Sequence, residues 1–323
     1  MSIPIKLPFL TSLLLVSAYT ALAQSSATLA SVGYATPVPI PVAPGQVVTM
    51  FFREIGPLRD GSLRSAEAKT VPLPIVLGGL SLTIGRQPTN VPIFAVRQEN
   101  DCFEGQITPA CLLTAIRIQV PYNLQPDNQL TLVVDGQASR NFRLAQTGDN
   151  AHVLTSCDLN WDTNWASSCS RLSFHADGTA ITEKSPARPG ESIVIYLWGL
   201  GLTSPGVSSG GPSPPGVVVT QFPGIPAVRV RLLDGPRTSL TATPASYSAE
   251  DSVDPGLPVE YLGLTPGQIG LYQINVTIPR GFTSTTLCGQ PVAGAPLTIA
   301  ANAVLHVSTP YAGTQELGFC WKP

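Results

Sequence analysis

Proline is spread along this chain at a density that decides what it can fold into: 32 prolines, with 29 glycines, in 323 residues. A proline lacks the N–H that a helix or strand ladder uses, and its ring clashes inside a helix. The segments between prolines suit short strands joined by turns, so the chain is expected to be all-β. The one place with room for a helical turn is Ser62 to Lys69, where a surface loop is the alternative. Charged residues are only 12 % and apolar residues 43 %, which is not the charge-rich composition of a disordered chain. With 18 basic and 20 acidic side chains and no basic stripe, nucleic acid is excluded as an expected partner.

The chain echoes itself. Pro41 to Phe51 (PVAPGQVVTMF) resembles Pro186 to Tyr196 (PARPGESIVIY) at an offset of 145 (189 minus 44). Each reads as a Pro-Gly turn feeding an apolar strand. Ala115 to Pro121 (AIRIQVP) likewise resembles Gln273 to Pro279 (QINVTIP), at an offset of 158 (279 minus 121). Both alternate apolar and polar residues, the period that buries one strand face and leaves the other to solvent. A last strand is expected at Gln129 to Val134 and at Pro296 to Ala300. Two immunoglobulin-like β-sandwich domains in tandem follow from this duplicated order. Between them, Asp177-Gly178 is flanked by apolar–polar runs and predicts a tight hairpin.

The first 23 residues have the plan of a secretory signal peptide: Lys6, an apolar run from Leu7 to Val16, and small residues at Ala21 and Ala23. The expected organisation is signal peptide 1–23, a diverged first sandwich 24–148, a second sandwich 149–308 and a C-terminal tail 309–323. No later stretch is apolar for long enough to insert in a membrane as a helix. In an oxidising compartment Cys102, Cys111, Cys157, Cys169, Cys288 and Cys320 are expected to pair. Six cysteines allow 15 pairings. Proximity favours Cys102 with Cys111 and Cys157 with Cys169, which leaves Cys288 with Cys320 to tie down the tail.

His175 to Thr179 (HADGT), Ser185 to Glu191 (SPARPGE), Tyr196 to Gly201 (YLWGLG) and the long run from Val259 to Pro279 together resemble an uncharacterised C-terminal domain family of secreted acidobacterial (Solibacter-type) proteins. The resemblance covers roughly residues 147 to 308. It implies an immunoglobulin-like or IPT/TIG-type sandwich and brings no activity and no catalytic residues. The first half departs from the pattern, with Arg53-Glu54-Ile55-Gly56 where the second has Trp198-Gly199-Leu200-Gly201.

Gly206-Val207-Ser208-Ser209-Gly210 matches the G-x-S-x-G spacing of serine hydrolases, but that motif needs a strand before Ser208 and a helix after it, and here prolines follow at 212, 214 and 215. The acidic cluster Glu250, Asp251 and Asp254 reads as a solvated loop rather than a glycosidase pair. His152, His175 and His306 have no metal-ligand spacing. The loop from Cys157 to Cys169 is the richest local feature. Its Asp158, Asn160, Asp162 and Asn164 alternate like calcium ligands, yet Thr163 stands where such loops want glycine and Cys169 where the closing glutamate belongs. Its Trp161 and Trp165 are candidate ligand contacts for a sugar ring or a protein partner, with packing at the domain junction as the plainer reading. Trp198 and Trp321 are assigned to a core strand and the tail.

The expectation is therefore a secreted or extracytoplasmic, non-enzymatic binding or structural module, without cofactors, acting in adhesion, envelope or matrix. Its expected partner is a polysaccharide or another surface protein. A carbohydrate-binding protein using the loop aromatics is the alternative, and a hydrolase comes after it for want of a nucleophile, base and orienter set.

Overall fold

The computed structural model describes residues 26–101, 107–124, 127, 129–161, 169–220, 228–240 and 256–323. It is built almost wholly of antiparallel strands. Seven principal strands in the N-terminal half are β1 (Thr28–Gly33), β2 (Val47–Arg53), β3 (Leu80–Ile84), β4 (Ile93–Asn100), β5 (Leu112–Gln119), β6 (Gln129–Val134) and β7 (Gln137–Ala138). Seven more follow: β8 (His152–Val153), β9 (Ser192–Trp198), β10 (Arg229–Arg237), β11 (Val259–Leu264), β12 (Tyr272–Thr277), β13 (Ala301–Thr309) and β14 (Gly313–Phe319).

In the first half one sheet runs β1-β2-β5-β4 and the other β7-β6-β3; in the second half the orders are β8-β9-β12-β11 and β10-β13-β14. With the seven strands of each half lettered in chain order, both halves are A-B-E-D against C-F-G, the order of a constant-type immunoglobulin sandwich. The likeness extends to register. Val47 stands opposite Gln119 and Ser192 opposite Thr277, which are the two sequence offsets, 145 and 158, acting together. A bulge falls between Ile93 and Ala95 opposite Ile118 and Arg117, and another between Val259 and Tyr261 opposite Val276 and Asn275. Those partners are again 158 apart (276 minus 118). A matched bulge in matched register is a costly coincidence for two unrelated strand pairs.

Each half has its own core. Val48, Met50, Phe52, Leu80, Leu82, Ile116, Ile118, Leu130 and Leu132 meet in the first, and Ile193, Ile195, Leu197, Ile274, Val276, Leu305, Leu317 and Phe319 in the second. A fully buried side chain of this size is stabilising by about 1.5–3 kcal/mol. The changeover falls at Gly148: Thr147 N still donates to Val42 O, whereas Asp149 accepts from Thr309 Oγ1 at 2.6 Å and Asn150 N donates to Gly199 O.

Several sequence expectations need correction. Ser62 to Lys69 holds a short strand, Ser65–Glu67, paired with β4. Beside it Arg64, 1 % exposed, donates to the carbonyls of Gly56 and Gly78 and to both oxygens of Asp135, so backbone satisfaction there comes from a side chain and not from a helical turn. The segment 309–323 is not a tail. It contains β14, which pairs along its length with β13 and buries Leu317, Phe319 and Trp321. The strand expected at Pro296 to Ala300 begins instead at Ala301. The Asp177-Gly178 turn is present, but only Gly178 takes positive φ (+86°), so the turn closes as a His175–Gly178 β-turn with the glycine as the left-handed residue.

Candidate functional site

The bridged loop starts from a helix of five residues, α1 (Ser156–Asn160), among the described residues the one α-helix. Thr155 caps it: its hydroxyl accepts from Asp158 N while the Asp158 carboxylate accepts from Thr155 N at 2.8 Å, a capping box. Trp161 ends the helix in the left-handed region at φ +34°, and Cys157 is bonded to Cys169. A threonine three residues before an aspartate was the sequence signal for this turn.

The left-handed turn aims Trp161 into the molecule. It is 6 % exposed and packs with Phe51, Ala95, Leu113 and Ala115, on the outer face of the first A-B-E-D sheet. Its indole N–H donates to Thr49 Oγ1 at 3.3 Å, the Arg97 guanidinium lies 4.8 Å from its ring centre, and its carbonyl accepts from Arg97. Trp161 is therefore not an exposed ligand contact: it is a bridge between the halves, because the strand face beneath it is apolar. Trp165, Asp162 and Asn164 lie outside the described residues.

Asp158 is turned inward as well. It is 3 % exposed, and Oδ2 accepts from Thr155 N, Thr155 Oγ1 and, at 2.8 Å, the His152 ring. Burial opposes its ionisation, but the His152 charge and these hydrogen bonds prevail and hold its pKa below the usual carboxylate range. A carboxylate so committed to its own helix cap is not available to a calcium ion. Asn160 closes the helix. Among the described residues no group of three His, Cys, Asp or Glu side chains is placed to hold a metal.

Around this loop the halves are joined by polar and aromatic contacts that the sequence reading did not find. Tyr34 stacks on His152 at 3.6 Å, donates to Asn150 O at 3.0 Å and accepts from Gln46 Nε2 at 2.6 Å. Burial pushes its phenol far above the ordinary value, so it remains a donor at any physiological pH. Arg117 lies 4.9 Å from the Trp198 ring centre and donates to Asp158 O. The space bounded by Tyr34, Thr49, Arg117, Asp158, Trp161 and Trp198 is too small for a water molecule. The signal in the sequence was the run from Val47 to Phe52, apolar but for Thr49, which suits a strand covered on both faces rather than one with a solvated side; all six residues are buried.

The G-x-S-x-G loop has a different task. Gly210 N donates to Gln119 Oε1 at 2.6 Å, Gly210 O accepts from Leu73 N, and Ser209 Oγ accepts from Tyr122 N at 3.0 Å. It clamps the second half onto the first, no helix follows it, and Ser208 is exposed. Glu250, Asp251 and Asp254 lie outside the described residues, as does Cys102 of the first expected pair. Cys288 and Cys320, the pair left over once the nearer cysteines are matched, are bonded. Each histidine faces one carboxylate: His152 faces Asp158, His175 faces Glu191, and His306 faces Glu316 at 3.3 Å.

No helix among the described residues is long and apolar enough to cross a membrane. Comparison of the chain with protein-family models, curated proteins and solved structures finds no match in any of the three.

Proposed function

We propose that the chain is an exported binding or structural module, a component of adhesion, envelope or matrix, whose two sandwiches act as one rigid unit. The observation that carries this reading is the junction. The outer face of the sheet around Phe51, Ala95, Leu113 and Ala115 is committed to it through Trp161, with Arg117, Tyr34 and the 206–210 clamp alongside, an investment that suits a spacer of fixed geometry more than a hinge. Two disulfides, Cys157–Cys169 and Cys288–Cys320, agree with an oxidising destination. The C-terminal half belongs, in this reading, with the acidobacterial domain family its motifs resemble. The carbohydrate alternative now rests on Trp165 alone, since Trp161 is buried.

The test is to fractionate producing cells and sequence the N-terminus of the product. The expected result is an extracytoplasmic protein starting at Gln24 with its cysteines oxidised. A reduced, cytoplasmic product retaining Met1 overturns the reading. Retention of the exported protein, and not of a Trp165→Ala variant, on insoluble polysaccharide would transfer the assignment to sugar binding.

A further inference from the structure

Away from the junction, three side chains of the second half converge on an open groove of about 360 Å³. His175, on the hairpin strand before Asp177-Gly178, directs Nδ1 at Glu191 Oε1 in a short hydrogen bond, and its Nε2 stands 3.1 Å from Ser185 Oγ. Ser185 is exposed to the groove, which Lys184 and Arg188 also line. Hydroxyl, imidazole and carboxylate are thus in line, with the spacing that lets a base take a hydroxyl proton while a third group orients it. The set is not legible in the sequence because its members lie on a strand end, in a bend and after a separate turn.

Each member is held. Glu191 Oε2 accepts from Arg188 N at 2.8 Å, which fixes the carboxylate toward the ring. Thr182 N donates to Ser185 O, and Ser185 N donates to Thr182 Oγ1 at 3.1 Å. Just beyond, Ala187 is hydrogen-bonded to Cys320 and Lys322 on the disulfide-tied C-terminal segment.

We propose that Ser185, His175 and Glu191 form a nucleophilic acyl-transfer site for short-chain esters. Ser185 Oγ attacks the acyl carbonyl as its proton passes to His175 Nε2; the carbonyl electron pair moves to oxygen. On collapse the ester C–O bond breaks, and the leaving alkoxide takes the proton from Nε2. Water repeats the sequence on the acyl-serine, releasing the acid and restoring the serine. Pro186 follows the nucleophile and has no N–H to offer, so the oxyanion's charge falls to the Lys184 and Arg188 side chains. This activity is additional to the structural reading, and its failure would leave that reading intact.

The ring has two states. Neutral, with its proton on Nδ1, it accepts from Ser185 Oγ and is active. Protonated, it can instead donate Nε2–H to Ser185 O, 3.1 Å away. Burial disfavours the imidazolium, but the Glu191 hydrogen bond, the Ser185 carbonyl and the Glu191 and Asp177 charges together outweigh it and raise the pKa above the ordinary value of 6.5, so reactivity must rise with pH through a midpoint above that value.

The test is labelling of the oxidised protein with a fluorophosphonate, in which serine displaces fluoride at phosphorus, with the site read by peptide mass spectrometry. Exposed Ser208 is the internal control. Ser185 is expected to react roughly 100-fold faster than Ser208, the usual contribution of a positioned base. His175→Gln should remove that advantage, and Glu191→Gln should lower the pH midpoint. Equal rates at the two serines, or a Ser185 rate unchanged by His175→Gln in a variant that keeps the wild-type melting temperature, overturn the proposal.

Discussion

Asp158 shows how one side chain's local bonds decide its role. Its alternation with Asn160 suggests a cation ligand, but the same carboxylate caps its own helix and faces His152. Since its pKa is held down in the folded chain, its stabilisation is present in full above the unfolded value of about 3.9. It is lost as pH falls through the lower folded value. Asp158→Asn is therefore expected to destabilise the protein at pH 7 by roughly 1–2 kcal/mol, the range for a lost cap. The difference from wild type should shrink toward zero on acidification below pH ~4. Urea unfolding midpoints of both proteins across pH 2.5–7, chosen to bracket that titration, measure it, and a difference independent of pH would show that the charge contributes nothing.

The strands that sequence identified well are those whose pattern is set by their own neighbours. β6 is found with the bounds expected, and β2, β5, β9 and β12 lie where the repeated motifs put them. β14 escaped notice because Gly313-Thr314-Gln315-Glu316-Leu317-Gly318-Phe319 has two glycines and no clean alternation. Its polar members are buried for a tertiary reason: Gln315 donates to Ala151 O and accepts from Val153 N at 2.9 Å, stitching β14 to the strand that opens the second half. The Cys288–Cys320 bond closes the chain just after this strand, at a sequence separation of 32. Replacing both cysteines with serine is expected to cost about 2–4 kcal/mol. In a background with Cys102, Cys111, Cys157 and Cys169 all replaced by serine, denaturant titration should show the protein that keeps Cys288 and Cys320 falling, when reduced, to the stability of the protein that lacks them, which the reductant should leave unchanged.

For the whole molecule the decisive feature is that one half completes the other. Trp161 belongs to the second half by sequence and to the first by packing, so its removal acts on their union. Trp161→Ala should cost about 3–5 kcal/mol in lost burial. With Arg117→Ala added, the single thermal transition expected of the wild type should separate into two, one for each core. Calorimetry of the oxidised protein is the direct measurement; one undivided transition in the double variant would mean that the 206–210 clamp and the Tyr34 contacts suffice to couple the cores.

What the sequence determined unaided is the part governed by short-range sterics. Prolines left room for little helix, the period of two located the main strands, and the repeated Pro-Gly motif marked two halves with the same strand order. The proximal cysteine pair needed only a short loop. Tertiary structure alone decided which strand faces meet water, that Trp161 points inward, and that His175, Ser185 and Glu191 come together. The first two depend on partners about a hundred residues away, as Thr49 and Trp161 are. A strand's period shows that its faces differ; only the surface that arrives from elsewhere decides whether the second face is solvent or core.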